Sequence, residues 1–262
     1  VLARLTAQAW LDFLSQLSSL LADPVCYGVG VPRGNGEPVL LIPGFTAGDW
    51  SMGTLARWLR RIGYRTYLSG IDLNIGCPRR KVEVVGWRVA KIARETGLPV
   101  TLVGHSLGGV LGRAILTSFP ADVRHVIALG SPVRDAENAL DPQVRPAMMA
   151  LQAFWQRLAS APEGCGTETC QCGVVNAAMA SMPRDTFTAI YSRADEVVNW
   201  QACIDQDGAS HEVSGGHVSL IVNRQVYRTL AVVLAEACAE RESNERLWWL
   251  PEKWKREQNG HA

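Results

Sequence analysis

Pro99-Val-Thr-Leu-Val103-Gly104-His105-Ser106-Leu107-Gly108-Gly109-Val110-Leu111 is the stretch from which the fold can be read. An apolar run of strand length ends at a glycine, a serine follows two residues later, and an apolar helical pattern begins at once. In that setting G-x-S-x-G predicts a strand, a tight turn with the serine at its tip, and a helix. Without the flanking patterns the motif also arises by chance in Gly- and Ser-rich loops. Glycines at 104 and 108 let strand and helix approach closely, and the helix N-terminus points amides at the same spot, favouring negative charge. A serine placed there needs a base and two amide donors to become an acylating nucleophile.

Working outward, residues 38–42 form a second apolar run of strand length, closed by Pro43-Gly44. Asp49 is placed to cap a helix reaching Arg61, with Met52, Leu55, Trp58, Leu59 and Ile62 facing inward. Strands are expected at 64–69, 123–129 and 186–191, with a short one at 211–213. Helices are expected at 81–96, closed by Gly97, at 107–119 and at 223–239. Strands alternating with helices predict an α/β fold, a mostly parallel sheet with helices on both faces and the site at the strands' carboxyl ends. One connection is long: roughly fifty residues, 134–185, separate two strands, and such an insertion should lie above Ser106 as a helical cap.

The chain has 262 residues, 47% of them apolar, and a formal charge of +1 with both signs interleaved. That suits a single domain, 1–262, with 134–185 as cap and 241–262 as a tail. There is no basic stripe for nucleic acid and no acidic block for a disordered tail. Residues 2–21 are apolar, but Arg4, Gln8, Asp12 and Gln16 interrupt them. Leu2, Leu5, Ala9, Phe13, Leu17 and Leu20 recur at steps of three and four, which describes an amphipathic helix rather than a membrane span or a signal segment.

A base for Ser106 should follow an acid, in the order Ser, Asp or Glu, His. Of the five histidines, His105 sits in the elbow with its side chain expected to turn away, His125 opens a strand ahead of any acid, and His261 is in the tail. His211 starts the short strand. His217, in Ser214-Gly215-Gly216-His217 just before the last helix, has the loop freedom a catalytic imidazole needs, with helix capping as its ordinary reading. Asp195, just past strand 186–191, is the acid that would hold Nδ1. Its ordinary reading is a solvated turn carboxylate. Glu196, expected to point the other way, and Asp205 and Asp207 are fallbacks. The second oxyanion donor belongs to Pro43-Gly44-Phe45-Thr46-Ala47-Gly48, so the amides of Phe45 and Leu107 form the expected hole, each worth about 3 kcal/mol.

Four segments in order, Leu41-Ile-Pro-Gly-Phe45, Gly104-His-Ser-Leu-Gly-Gly109, Tyr191-Ser-Arg-Ala-Asp195 and Gly216-His217-Val-Ser-Leu, resemble the α/β-hydrolase superfamily. Gly130-Ser131-Pro132 and the apolar run after His217 are similar to small bacterial triacylglycerol-lipase-type esterases. The resemblance spans about residues 38–239. It implies a carboxylic-ester hydrolase with Ser106, Asp195 and His217 as triad, no cofactor, a small-molecule or lipid ester as substrate, and the cap inserted after the sixth strand. The chain departs from many relatives in having Ile42-Pro43-Gly44 where they carry His-Gly, and only one strand precedes the oxyanion loop. An acyltransferase on the same scaffold is the alternative, and a non-hydrolytic protein of this fold ranks below both.

In the cap, Met148, Leu151 and Trp155 recur at helical spacing with Leu158, beside Met149 and Phe154; they are read as acyl-chain contacts, with core packing as the competing reading. Seven cysteines leave at least one unpaired. Cys165, Cys170 and Cys172 are read as disulfide staples of the cap ahead of a zinc site shared with Cys203; no metal is assigned. Trp248, Trp249 and Trp254 of the tail are read as packing across the domain, with transient contact to a membrane or lipid surface second.

Overall fold

The computed structural model describes residues 2–134, 139–158, 186–205 and 208–247. Six strands form one sheet: β1 (Pro38–Ile42), β2 (Arg65–Leu68), β3 (Val100–His105), β4 (Val123–Leu129), β5 (Phe187–Ser192) and β6 (Ala209–Val213). Their order is β2-β1-β3-β4-β5-β6 and every neighbouring pair is parallel. Parallel neighbours need crossovers, and helices supply them. α1 (Leu2–Leu21) precedes the sheet, α2 (Gly53–Arg61) joins β1 to β2, α3 (Pro78–Thr96) joins β2 to β3, and α4 (Leu107–Ser118) joins β3 to β4. α5 (Arg145–Leu158) lies in the insertion between β4 and β5, α6 (Trp200–Cys203) is one turn, and α7 (Arg224–Leu247) is the last described element.

Successive strand residues face opposite sides, so the continuous apolar runs feed two cores. Val39, Leu41, Val103 and Ile127 pack with Leu20 of α1, Leu55 and Leu59 of α2, and Leu230 and Leu234 of α7. Leu40, Ile42, Leu102 and Val126 pack with Val85 and Val89 of α3 and Leu111 and Ile115 of α4. The connections leaving β1 and β3 therefore run to opposite faces although the two strands are neighbours. Sheets of this kind hold ligands at such a switch point, beyond the carboxyl ends of the strands.

Some local expectations shift. The strand before the insertion is fourth along this chain, since β1 is the first described strand and all six are parallel. Asp49 does not cap α2: residues 49–52 form a 3-10 turn, and the Asp49 carboxylate instead accepts from the Ser69 amide, the Ser69 hydroxyl and the Gly70 amide. α3 starts three residues early because Pro78, preset for a first helical turn, opens it. A 3-10 turn, Pro24–Tyr27, lies between α1 and β1. Among the described residues, no helix is long and apolar enough to cross a membrane.

Candidate active site

Ser106 joins β3 to α4 with φ 52° and ψ −123°. Ser106 and Thr46 are the two non-glycine residues with positive φ among the described residues. Such a backbone costs on the order of 1–3 kcal/mol and persists only where packing enforces it. Here the packing is visible: a Cβ on Gly104 would stand 2.3 Å from the Gly108 carbonyl carbon, and one on Gly108 would stand 2.2 Å from the Ile42 oxygen. The Ser106 amide donates to the Leu129 carbonyl at 2.9 Å. Leu107 is the first residue of α4, a position whose amide has no acceptor within its own helix.

The loop after β1 presses on this turn. A Cβ on Gly44 would lie 3.2 Å from the Ser106 Cβ and 3.1 Å from His105 Nδ1. Asn74, only 1% exposed, holds that loop from outside. Its Nδ2 donates to the Pro43 carbonyl at 2.8 Å, its carbonyl accepts from the Thr46 amide at 3.0 Å, and its amide donates to the Ala47 carbonyl at 2.7 Å. Phe45 lies between two clamped positions. Asp72-Leu-Asn74-Ile-Gly76 reads as turn chemistry in sequence, so nothing local marks Asn74 as the clamp.

His217 and Asp195 meet: Nδ1 of the imidazole is 2.7 Å from Asp195 Oδ2, and both groups are buried. Asp195 Oδ1 accepts from the amides of Val197 (2.9 Å) and Val198 (2.7 Å), which fixes the carboxylate. Gly130, next to the Leu129 that receives the Ser106 amide, is their neighbour; a Cβ there would stand 3.1 Å from Asp195 Oδ2 and 3.4 Å from His217 Nδ1. Burial works against charging His217 and is the largest single influence on it. The Asp195 charge, the hydrogen bond that the imidazole donates to Asp195 and the charge of Glu196 together outweigh it, so the imidazole binds its proton more tightly than an ordinary histidine. Glu196, expected to point the other way, reaches the same residue as Asp195: its Oε2 accepts from the main-chain amide of His217 at 2.9 Å.

His105 does not turn away from the site. Its Nε2 donates to the His217 carbonyl at 2.9 Å, and burial, with the nearby His217, lowers its pKa to about 4. The reason is register: β3 delivers His105 one residue before the turn, on the side where the loop after β6 crosses the sheet's end. His125 is occupied in the core with Thr188, 2.9 Å away. His211 lies on β6, and Asp205 pairs with the buried Arg113 of α4. Asp207 and His261 lie outside the described residues.

Of the expected acyl contacts, Leu151 on α5 is exposed and Met148 and Trp155 are half-buried; Trp155 meets Phe154 edge-on at 5.4 Å. The root of the insertion is tied to the loop carrying Asp195, through a bridge between Leu140 and Val198 and the Asp141 amide on the Val197 carbonyl at 2.9 Å. Cys203 is a buried thiol whose ionisation is opposed by burial and by Asp195. Cys165, Cys170 and Cys172, and the tail tryptophans Trp248, Trp249 and Trp254, lie outside the described residues. Among the described residues no group of His, Cys, Asp and Glu is arranged to hold a metal.

An imidazole fixed at Nδ1 by a carboxylate keeps Nε2 for proton exchange with a hydroxyl, and a serine at a strained turn presents such a hydroxyl. Comparison with known proteins agrees with the architecture. Residues 89–199 match the family model of the PGAP1-like alpha/beta domain. A curated triacylglycerol lipase of Burkholderia plantarii is 25% identical over 130 residues, 46% of this chain and 36% of that protein. The chain thus spans well under two thirds of that relative. A soluble variant of monoglyceride lipase from Saccharomyces cerevisiae, solved with a substrate analog, superposes with a TM-score of 0.52 at 13% identity, over 79% of this chain and 88% of that one. A lipase-esterase related protein from Clostridium acetobutylicum gives 0.52 at 13% identity, over 79% and 97%. The chain has the α/β-hydrolase fold.

Proposed function

We propose that this α/β-hydrolase-fold chain is a carboxylic-ester hydrolase working through an acyl-enzyme on Ser106. The observation that carries the reading is the buried His217–Asp195 pair, 2.7 Å apart, converging on the end of β3 where Ser106 holds its strained backbone. The triacylglycerol lipase of Burkholderia plantarii supports an ester as the substrate class. In the proposed cycle the Ser106 hydroxyl attacks the ester carbonyl and gives its proton to His217 Nε2. Asp195 fixes the tautomer and stabilises the imidazolium. The oxyanion forms against the amides of Leu107 and Phe45. His217 returns the proton to the departing alcohol, and water, deprotonated by the same imidazole, then releases the acid.

No step calls on a group beyond the chain's own side chains, amides and water. The acyl chain is proposed to lie against Met148, Leu151 and Trp155 of α5. The test is a p-nitrophenyl ester series from acetate to palmitate, with fluorophosphonate labelling of wild type and Ser106→Ala. The variant should fold, take up no label and lose up to about a millionfold in rate. Near-native hydrolysis by Ser106→Ala would defeat the reading. Free acid as sole product in the presence of an added alcohol separates hydrolysis from acyl transfer.

A further inference from the structure

The loop that carries His217 has little to hold it by itself. Gly215 has φ 106°, Gly216 follows it, and two glycines in a row leave a turn with more backbone freedom than any other pair. Yet a base displaced by about 1 Å can cost on the order of 100-fold in rate. Rigidity must come from the loop's partners, and the most distant one in sequence is α1. The Gly216 amide donates to Asp12 Oδ2 at 2.8 Å across 204 residues of chain. The Ser219 hydroxyl donates to the same oxygen and is itself buried. One turn on, Gln16 Oε1 accepts from Asn223 Nδ2 at 3.1 Å, and that Nδ2 also reaches the Ser214 carbonyl at 2.6 Å. The loop is therefore tied to one face of α1 at residues 216, 219 and 223.

We propose that Asp12 is a positioning residue for His217: one oxygen of α1 grips the residue before the imidazole and the residue two beyond it, while Glu196 takes the amide between. This rests on the reading of His217 as the base. It makes the amino-terminal helix part of the catalytic apparatus rather than a packing accessory. Close approach enforces the arrangement. A Cβ at Gly216 would fall 2.7 Å from Glu196 Oε2 and 3.0 Å from Asp12 Oδ2, so both acids lie against the loop backbone at this point. Glycine there admits both.

The experiment compares Asp12→Ala, Asp12→Asn and Ser219→Ala in the full chain, using p-nitrophenyl acetate and a fluorophosphonate. Asp12→Ala should lower kcat about 10- to 100-fold with KM within about twofold and the final labelled fraction equal to wild type. The labelling rate should fall in step with kcat. Asp12→Asn keeps an acceptor oxygen at the same place and should recover to within about threefold of wild type, while Ser219→Ala, losing one of the two bonds, should fall between. Wild-type kcat in Asp12→Ala would overturn the proposal. So would a loss accounted for entirely by a smaller labelled fraction, which is what a merely structural role produces. If Asp12→Ala does not fold, unchanged kcat in Ser219→Ala overturns it instead. A separate arm follows the proton between His217 and Asp195 by NMR: its exchange with water should quicken in Asp12→Ala, and an unchanged signal refutes the assignment. A wild type that neither hydrolyses nor labels would count against the ester-hydrolase reading, and this NMR arm would still decide the role of Asp12.

Discussion

His105 donates through Nε2 to the backbone carbonyl of His217 at 2.9 Å, with the two rings tilted at 41° and 4.9 Å apart. The residue before the serine thus supports the residue proposed to activate it. Donation to a carbonyl requires a proton on Nε2, and the buried ring beside a second imidazole holds its pKa down at about 4, so the other nitrogen stays bare at neutral pH.

That burial predicts a pH-dependent stability. The unfolded chain carries His105 at an ordinary pKa near 6.5 and the folded chain at about 4, so between those values the unfolded state binds more protons. Stability contributed by His105 is present above pH 6.5 and is lost as pH falls towards 4. Urea midpoints at pH 7 and pH 4.5 should differ less in His105→Phe than in wild type. An identical pH slope in both would rule out His105 as its source.

His217 titrates in the opposite sense. The base must be neutral to take the serine proton, and Asp195 and Glu196 raise its pKa against the opposing effect of burial. The acid limb of kcat/KM should therefore have its midpoint above the ordinary histidine value of 6.5. Glu196→Gln should move that limb to lower pH. His217→Ala should be as damaging as Ser106→Ala, whereas His211→Ala should keep at least about a tenth of the rate. The reverse ranking of the two histidines would transfer the role to β6.

Asn74 holds the loop proposed to supply the second oxyanion donor. Asn74→Ala deletes the Nδ2 bond to Pro43 but leaves the two main-chain bonds, so the fold should lose about 1–3 kcal/mol. Because Phe45 sits inside the clamped segment, kcat should fall about 10- to 100-fold with KM little changed. Asn74→Asp, setting an acceptor against the Pro43 carbonyl, should do worse than Ala in both measurements. Equal kcat in wild type and Asn74→Ala would mean that the loop holds its shape without the side chain.

Local chemistry made the sheet and the elbow legible, because each is written in consecutive residues: an apolar run, then a turn glycine. Asp195 and His217, 22 residues apart, were each marked by local setting, an acid just past a strand and a histidine in a glycine loop. The supports were not legible. Asp12 and Gln16 read as the solvent face that interrupts an apolar stripe, and only the docking of α1 on residues 214–223 turns them inward. Asn74 and His105 likewise act across chain separations of 31 and 112 residues. Periodicity reports which face of an element is apolar, not which polar side chain will find a distant backbone amide.

Substrate choice should lie with α5. Its Met149, Leu151, Phe154 and Leu158 are between 40% and 65% exposed, and the insertion is rooted on Val197 and Val198, just past Asp195. An acyl chain laid against such a surface gains about 0.8 kcal/mol per methylene, up to about fourfold in kcat/KM per added carbon until the surface is covered. Trp155→Ala should flatten the rise from acetate to octanoate while leaving acetate hydrolysis nearly unchanged. Because it also strips Phe154 of its ring partner, Leu151→Ala serves as the milder control: an exposed side chain costs little stability when truncated, so a flatter profile there reads acyl contact alone. If both variants reduce acetate and octanoate by the same factor, α5 serves only the stability of the insertion and acyl selectivity must be sought on the sheet side of Ser106.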